Sequence, residues 1–226
     1  MPARISIIVP TLNSAETLPR CLAALIEGLA EGLIRELIVT DGGSDDATLT
    51  IAEEAGARVV RGPASRGGQL RRGCAAAKGQ WLLILHADTV LARGWAQVVA
   101  DHIAGAGAGP AWFRLQFDVS GVMARFVAGW ANLRAMLFGL PYGDQGLLVS
   151  RKEYTLAGGY PDQPLMEDVA LARALGRLTG LPVRSTTSAA RYRRDGWLRR
   201  GARNLWTLAR YFAGADPQHL AARYRQ

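Results

Sequence analysis

Short apolar strands alternate with helical segments through the first 90 residues, and this rhythm constrains the fold more than any other feature. Leucines recur at helical spacing in 14–29, and 47–56 and 66–78 also have helical patterns. Repeated βαβ units build a mainly parallel sheet with helices on both faces. We therefore predict an α/β fold of the Rossmann-like kind, with strands over 5–9, 36–41, 58–60 and 81–85.

The rhythm changes after residue 90, and the second half mixes helices with isolated strands. We predict a flexible link at 104–111 and a turn at 139–146. No internal repeat or low-complexity linker divides the chain, so we predict one domain over 1–226, made of 1–90, 91–190 and a helical tail over 191–226. The expected helices are 94–103, 121–138, 166–178 and 195–213, and the expected strands are 111–119, 146–150 and 181–187.

Polar clusters follow three of the apolar strands directly. They are Pro10 to Asn13, Asp41 to Asp46, and the run His86-Ala87-Asp88. Ligands of open α/β sheets bind beyond the carboxyl ends of the strands. The three clusters therefore predict one shared site at that edge of the sheet.

Composition restricts the compartment and the partners. The net charge of +8 comes almost wholly from arginine, and no nucleic-acid motif accompanies it, so we expect no nucleic-acid partner. Arg125 and Arg134 interrupt the longest apolar segment, and the first ten residues do not form a signal peptide. We expect a cytoplasmic protein in which Cys21 and Cys74 are buried thiols.

The motifs present resemble those of the family 2 glycosyltransferases of the GT-A fold. The chain has neither the Gly-x-Gly-x-x-Gly of dinucleotide-binding proteins nor a Walker motif. It has, in the family's order, SIIVPTLNSAETLPRCLAAL, ELIVTDGGSDDAT, WLLILHADT and PLMEDVALARAL. The likeness extends to a bacterial subgroup labelled radical-SAM/selenodomain-associated, or arsenosugar-biosynthesis-type, through segments such as SRGGQLRRGCAAAKG, LPYGDQGLLVSRKEY and SAARYRRDGW.

The resemblance implies that the 1–90 half binds a nucleotide-activated sugar, with UDP as the expected nucleotide. Asp41 matches the aspartate that accepts the N3–H of uracil. For Glu16, a first-turn charge at a helix start is the alternative. The nucleotide-binding residues that the resemblance implies are Pro10, Thr11, Asn13, Glu16, Asp41, Gly42, Arg66, Gln69, His86 and Ala87.

The resemblance also implies a divalent cation, Mn²⁺ or Mg²⁺, at Asp88. This residue matches the last acid of the family's Asp-x-Asp motif, and hard cations prefer oxygen ligands. His86 stands where the family has the first acid, which usually contacts ribose. A direct bond from His86 to the cation is the alternative, so the choice of metal stays open.

Asp168 matches the family's catalytic base, which takes the proton of the acceptor hydroxyl in an inverting transfer. The alternative is a helix N-terminal charge without a catalytic role. The family pattern places Tyr142, Gly143, Asp144, Gln145 and Glu167 around the donor sugar and acceptor. It also implies a basic loop that closes over the diphosphate and contains Arg191, Arg194 and Trp197.

We therefore expect a metal-dependent inverting glycosyltransferase with an unknown acceptor, either a small molecule or a lipid. A sugar-nucleotide-binding relative without turnover is the non-enzymatic alternative. A nucleotidyltransferase would need a glycine- and arginine-rich turn after the first strand, which is absent. The apolar face of helix 121–138 leaves three alternatives open: ordinary packing, a homodimer contact, or peripheral contact with the inner membrane surface to reach a lipid acceptor.

Overall fold

The strands form one sheet that includes segments from both halves of the chain. The computed structural model describes residues 4–224. Its strands are β1 (Ile5–Thr11), β2 (Ile34–Asp41), β3 (Arg58–Arg61), β4 (Trp81–Ile84), β5 (Val90–Leu91), β6 (Ala111–Phe117), β7 (Leu147–Ser150) and β8 (Thr179–Thr187).

Helices cover both faces of this sheet and close the chain. A single 3-10 turn spans Gly143–Gln145. Across 4–224, no helix is both long and apolar enough to cross a membrane. The helices are α1 (Leu18–Ala30), α2 (Thr48–Glu54), α3 (Arg66–Ala76), α4 (Trp95–Ala104), α5 (Val122–Phe138), α6 (Arg151–Leu156), α7 (Glu167–Leu175), α8 (Ala190–Asp195), α9 (Trp197–Phe212) and α10 (Pro217–Tyr224).

The strand order is β3-β2-β1-β4-β7-β6-β8-β5, and it places the predicted polar clusters side by side. β1 lies between β2 and β4 and is parallel to both. β7 runs antiparallel to β4 and β6, and β5 runs antiparallel to β8. The parallel part of the sheet is therefore β3-β2-β1-β4 together with the β6–β8 pair. The predicted α/β class, the mainly parallel sheet and the C-terminal helices are confirmed.

Several predicted boundaries were wrong, each for a local reason. α1 begins at Leu18 and not at residue 14, because Pro19 occupies its first turn and the carbonyl of Ser14 closes a separate turn. The helix predicted over 195–213 begins only after Gly196, whose φ of 85° separates α8 from α9. The sequence pattern did not reveal β5 or α6.

Two apolar layers sandwich the sheet. One layer packs α1 and α4 against the sheet around Trp95, which is fully buried. The other packs α3, α6 and α7 on the opposite face. Cys21 and Cys74 are free, buried thiols, as predicted. The core thus fixes the sheet from both sides and leaves its carboxyl edge to carry the polar loops.

The tightest contact in the first layer joins Gly28 of α1 to Trp95. A Cβ atom at Gly28 would lie 2.5 Å from two ring carbons of Trp95. The indole cannot easily move, because its Nε1 donates to the carbonyl of Ala24 at 2.9 Å. We expect Gly28→Ala to lower the free energy of unfolding by about 1–3 kcal/mol, measured by urea denaturation.

Gly129 in α5 provides the matched control. It is also a helical glycine, but a Cβ atom added there would meet no neighbouring atom within 4 Å, so helix propensity alone should act at this position. We expect Gly129→Ala to raise the free energy of unfolding by up to about 1 kcal/mol. Equal effects at both positions would contradict the packing argument.

Candidate functional site

A polar pocket of about 120 Å³ lies at the carboxyl edge of the sheet, between the strand ends and α7, α8 and α9. Eight of the predicted site residues line it. The other lining residues come from the ends of β6 and β8, the residues just before α7, and the α8–α9 region. The predicted lining residues are Arg66, His86, Asp88, Tyr142, Gly143, Asp144, Asp168 and Arg191.

The remaining predicted residues do not line this pocket. Some lie beside it in the β1 and β2 loops, and others are buried in the layers behind it. Ala87, for example, is part of the apolar core. These residues are Pro10, Thr11, Asn13, Glu16, Asp41, Gly42, Gln69, Ala87, Gln145, Glu167, Arg194 and Trp197.

Asp41 organises the loop that follows β2. Its Oδ1 accepts from the hydroxyls of Thr11 at 3.0 Å and Ser44 at 2.5 Å, and its Oδ2 accepts from the amides of Gly43 and Ser44, both at 2.8 Å. Burial acts to raise its pKa, but these hydrogen bonds hold the pKa below its ordinary value. Asp41 is therefore a buried, ionised carboxylate whose four acceptor positions are all used within the protein.

Gln69 has a structural role, and the nucleotide contact predicted for it stays a prediction. It is 5% exposed, and its amide nitrogen donates to the carbonyls of Thr11 at 2.7 Å and Thr40 at 2.9 Å. A Cβ atom at Gly42 would lie 2.9 Å from its Oε1, so the missing side chain at Gly42 leaves room for Gln69. Gln69 thus ties together the ends of β1 and β2.

The loop after β1 is held against the loop after β2. Asn13 has a φ of 49°, its amide donates to the Ser44 hydroxyl at 2.9 Å, and its Oδ1 accepts from the amide of Asp45 at 3.0 Å. Pro10 is half-buried at the end of β1, and Glu16 is exposed. The two loops therefore form one shelf beside the pocket.

Asp168 is fixed by the first turn of α7 and by the 3-10 turn. Its Oδ2 accepts from the amide of Gly143 at 2.8 Å, and its Oδ1 accepts from the amide of Val169 at 2.8 Å. A Cβ atom at Gly143 would lie 2.2 Å from Nε2 of His86, so only glycine fits between the imidazole and Asp168. Gly143 therefore brings His86 and Asp168 to one wall of the pocket.

α7 begins with an unusual backbone conformation. Met166, the residue before the helix, has a φ of 63°, although it is not glycine and is buried. This turn directs Glu167 inward and leaves Asp168 half-buried at the pocket. A non-glycine residue in this region costs about 1–3 kcal/mol, so the packing around Met166 must hold the two carboxyl groups in place.

Glu167 is 2% exposed and faces Arg66, with 3.6 Å between its Oε1 and the Arg66 Nε. Its Oε2 is buried without a hydrogen-bond partner among the described residues. Burial, together with the nearby charge of Asp168, raises the pKa of Glu167 to about 7. Glu167 therefore carries a proton for part of the time at neutral pH, behind the pocket wall.

Asp144 and His86 are the other two perturbed groups. Burial, opposed by Arg134 and supported by Asp168 and Asp88, raises the pKa of Asp144 to about 6, and its Oδ1 has no partner within the described chain. Burial and the charge of Arg66 lower the pKa of His86 to about 4. At neutral pH His86 is thus a neutral imidazole that can donate or accept one hydrogen bond.

Gln145 is fully buried, and its side chain is hydrogen-bonded within the protein. Its Oε1 accepts from the amide of Tyr142 and from Arg134, and its amide donates to Asn132 at 3.2 Å. The guanidinium of Arg134 lies 3.4 Å from the centre of the Tyr142 ring. Gln145 and Arg134 therefore shape the turn that presents Tyr142, Gly143 and Asp144.

The predicted diphosphate loop divides into different roles. Arg191 lines the pocket, whereas Arg194 is exposed and pairs with Asp195 at 2.7 Å. Trp197 stacks on Tyr192 with ring centres 5.0 Å apart and packs edge-on against Phe117. Trp197 is thus a packing residue that holds α8 against the end of β6.

Several pocket residues were missed by the sequence analysis. Arg200 and Asn204 are one turn apart on α9, and Tyr192 precedes them on α8. Their spacing of four residues in an otherwise amphipathic helix was the available signal. This spacing did not identify them as pocket residues, because the sequence does not show that the polar face of α9 turns toward the pocket. Thr187 and Ser188 were missed because the carboxyl end of β8 was not expected at the site.

The donor set fits a divalent cation, although the described residues contain no ready-made cluster of three or more ligand side chains. Asp88 and Asp144 both line the pocket, and the charge of Asp88 contributes to the raised pKa of Asp144. The unpartnered Oδ1 of Asp144 is an acceptor that a cation would satisfy. A cation here would need further oxygen ligands from a bound molecule, as Mg²⁺ and Mn²⁺ commonly do.

Comparison with sequence families gives a match to the model described as Glycosyl transferase family 2, over residues 6–120, which is just over half of the chain. A PGL/p-HBAD biosynthesis glycosyltransferase of Mycobacterium tuberculosis is 40% identical over 93 residues. The match covers 38% of this chain and 36% of that relative. A TPR repeat-containing protein of Synechococcus elongatus is 40% identical over 91 residues, covering 39% of this chain and only 21% of that protein.

Two solved structures share the fold. One is glucosyl-3-phosphoglycerate synthase from Mycobacterium tuberculosis with Mn²⁺, UDP and glucosyl-3-phosphoglycerate, at a TM-score of 0.54 and 23% identity, covering 82% of this chain and 70% of that chain. The other is S. aureus TarS 1–349 with UDP-GlcNAc, at a TM-score of 0.61 and 15% identity, covering 81% of this chain and 58% of that chain. At these identities the likeness is one of fold.

The raised pKa of Glu167 predicts a pH-dependent cost in stability. Between the ordinary value of 4.5 and about 7 the folded protein binds more protons at Glu167 than the unfolded chain does, so stability falls as pH rises through this window. Glu167→Gln removes that cost. We expect its advantage over the wild type to grow by about 3 kcal/mol between pH 4.5 and pH 8 in urea denaturation.

Glu54→Gln, at an exposed glutamate of α2, is the control and should leave the pH profile of stability unchanged. A Glu167→Gln profile parallel to the wild type across pH 4.5–8 would show that Glu167 is not a raised-pKa acid.

Proposed function

The chain belongs to glycosyl transferase family 2 and is a glycosyltransferase, and from that premise we propose that it transfers a sugar from a UDP-sugar to an acceptor hydroxyl with inversion. One observation carries the proposal. Three pocket-lining carboxylates, Asp88, Asp144 and Asp168, converge with a neutral His86 beyond the carboxyl ends of the parallel strands. Arginines at two sides of the same pocket supply the positive charge that a diphosphate needs.

The fold neighbours support a UDP-linked donor and a divalent cation. The synthase structure contains Mn²⁺ and UDP, and the TarS structure contains UDP-GlcNAc. In this chain, the parallel pairing of β1 with β2 and β4 supports a nucleotide site on the shelf formed by the loops after β1 and β2. The subgroup likeness to the radical-SAM/selenodomain-associated transferases stays a prediction, as does the identity of the acceptor.

Uracil recognition by Asp41 requires one internal hydrogen bond to give way. All four acceptor positions of Asp41 are used, two of them by the backbone amides of Gly43 and Ser44 and one by the hydroxyl of Thr11 at the end of β1. The fourth donor is the Ser44 hydroxyl, which can rotate away about its Cα–Cβ bond. We therefore propose that the N3–H of uracil replaces the Ser44 hydroxyl on Oδ1 of Asp41.

Asp88, with the unpartnered Oδ1 of Asp144, would hold the divalent cation. When bound, such a cation supplies positive charge to the diphosphate oxygens as the bond to the sugar breaks. Arg66 and Arg191 line the pocket and would neutralise the remaining charge of the leaving UDP. His86 would donate or accept a hydrogen bond from the nucleotide as a neutral imidazole, and its direct contact with the cation is the alternative.

Asp168 would act as the base. The acceptor oxygen forms a bond to the anomeric carbon while the bond from that carbon to UDP breaks, and the acceptor proton passes to a carboxylate oxygen of Asp168. The Gly143 and Val169 amides each use one acceptor position of Asp168 and leave another free on each oxygen. A single displacement of this kind inverts the anomeric configuration.

The assignment of donor and cation predicts a nucleotide- and metal-selective stabilisation. UDP with Mn²⁺ should raise the melting temperature more than ADP or GDP at equal concentration, because only the folded protein binds the ligand. Asp88→Ala should remove the increment due to Mn²⁺, and His86→Asp should retain it. Asp101→Ala, at an exposed aspartate of α4, is the control and should respond as the wild type does.

Equal shifts from UDP, ADP and GDP would exclude uracil selection by Asp41. Loss of the Mn²⁺ increment in His86→Ala, with the increment intact in Asp88→Ala, would reverse the roles of these two residues.

The assignment of the base predicts a loss of turnover without a loss of donor binding. Asp168→Asn has one carbonyl oxygen, so it can keep the hydrogen bond from the Gly143 amide only by giving up the one from the Val169 amide, and it cannot take a proton. Transfer should fall by about two to four orders of magnitude, while the UDP-Mn²⁺ shift in melting temperature stays near that of the wild type. Proton NMR of the product should give the inverted anomer.

Glu167→Gln is the matched comparison, because Glu167 is the adjacent carboxyl group. Near-normal turnover in Asp168→Asn, with loss in Glu167→Gln, would move the base to Glu167. A product with retained configuration would exclude the single displacement.

A further inference from the structure

α5 and α9 expose large apolar side chains that no described part of the chain covers. The six side chains named below are between 42% and 67% exposed. A contiguous exposed apolar patch marks an interaction site, whereas single scattered apolar residues do not. We define the α5–α9 surface by six of them: Phe126, Trp130, Leu137, Leu205, Trp206 and Phe212.

The two helices present these residues to the same side of the molecule. Trp130 of α5 and Leu205 and Phe212 of α9 line one shared apolar cleft of about 400 Å³. Phe126 lies one turn before Trp130, and Trp206 is next to Leu205. The two helices therefore meet along this cleft, and Trp206 extends the apolar surface toward the arginine edge of α9.

α9 has three faces, which is the pattern of an interfacial helix. Its buried face includes Arg200, Thr207 and Leu208, and its apolar face includes Leu198, Leu205 and Phe212 at intervals of seven residues. Arg199, Arg203 and Arg210 form an edge at about 100° to 140° from Leu198, at 100° per residue. Arginines beside an exposed apolar face suit the headgroup region of a bilayer.

Charge identifies the partner. Four of the six arginines in α5 and α9 reach the surface, since only Arg134 and Arg200 among them are buried. Neither helix contains an acidic residue, and the whole chain has a net charge of +8. Two copies of this chain paired through the surface would bring arginines against arginines, which is unfavourable. Anionic lipid headgroups instead complement the arginines while the acyl region takes up the apolar side chains.

We propose that the α5–α9 surface docks the enzyme on an anionic phospholipid bilayer. This inference is independent of the transfer reaction proposed above. It gives the other face of α9, where Arg200 and Asn204 line the pocket, a fixed position close to the membrane.

The test measures co-sedimentation of the full chain with vesicles of phosphatidylcholine alone and with phosphatidylglycerol added. The wild type should bind the anionic vesicles and not the neutral ones. Phe126→Ser combined with Trp206→Ser should weaken this binding by at least about tenfold, because apolar burial contributes to interfacial binding. Leu156→Ser, at a 77% exposed leucine of α6, is the apolar control and should bind as the wild type does.

A second pair of variants tests the charge. Arg125→Gln with Arg199→Gln should weaken binding about 25-fold, because each basic side chain at an anionic surface contributes about fivefold. Arg20→Gln with Arg35→Gln removes the same charge from exposed sites on α1 and β2 and should have a much smaller effect. The UDP-Mn²⁺ stabilisation serves as the folding control, because none of these residues lines the pocket.

Three results would overturn the proposal. The first is failure of the wild type to bind anionic vesicles. The second is vesicle binding that neither the apolar nor the charge substitutions weaken. The third is a stable dimer in light scattering that Phe126→Ser with Trp206→Ser dissociates. The last result would identify the surface as a contact between copies of this chain.

Discussion

The hydrogen bond from the Gly143 amide to Asp168 is the interaction on which the pocket depends. It joins the turn after α5 to the first turn of α7, two elements that are far apart in sequence. The absence of a side chain at Gly143 lets His86, at the end of β4, reach the same point. The Gly143 backbone thereby holds three separate parts of the chain in one wall of the pocket, with His86 and Asp168 both next to it.

Ionisable groups in the pocket and behind its wall have pKa values shifted in opposite directions. Burial and neighbouring carboxylates raise the pKa values of Glu167 and Asp144, while burial and Arg66 lower that of His86. Each shift costs folding stability, since the folded state disfavours the charge that water would favour. Such a concentration of groups with shifted pKa values, in a pocket and directly behind its wall, is typical of sites that bind and transform charged ligands.

The sequence predicted the sheet and its polar edge well, because periodicity and strand-end polarity are local signals. Asp88, Asp168 and Arg66 could be placed at the pocket from the family motifs alone. The internal hydrogen bonds of Gln69 and Gln145 could not be predicted, since their amides bond groups that only the tertiary structure brings near. Arg200 and Asn204 were missed because their face of α9 is polar by pattern but turned inward by packing. Met166 gave no sign of its left-handed backbone.

The burial of both thiols has a practical consequence for labelling chemistry. Burial, aided at Cys21 by the charge of Asp88, raises the pKa values of Cys21 and Cys74 to about 12. At pH 7 the reactive thiolate is then on the order of one molecule in 100,000 at each position. The natural chain, with only these two cysteines, therefore behaves toward maleimides as a cysteine-free background. A fluorophore or spin label could be attached at one chosen surface position without first removing either native thiol.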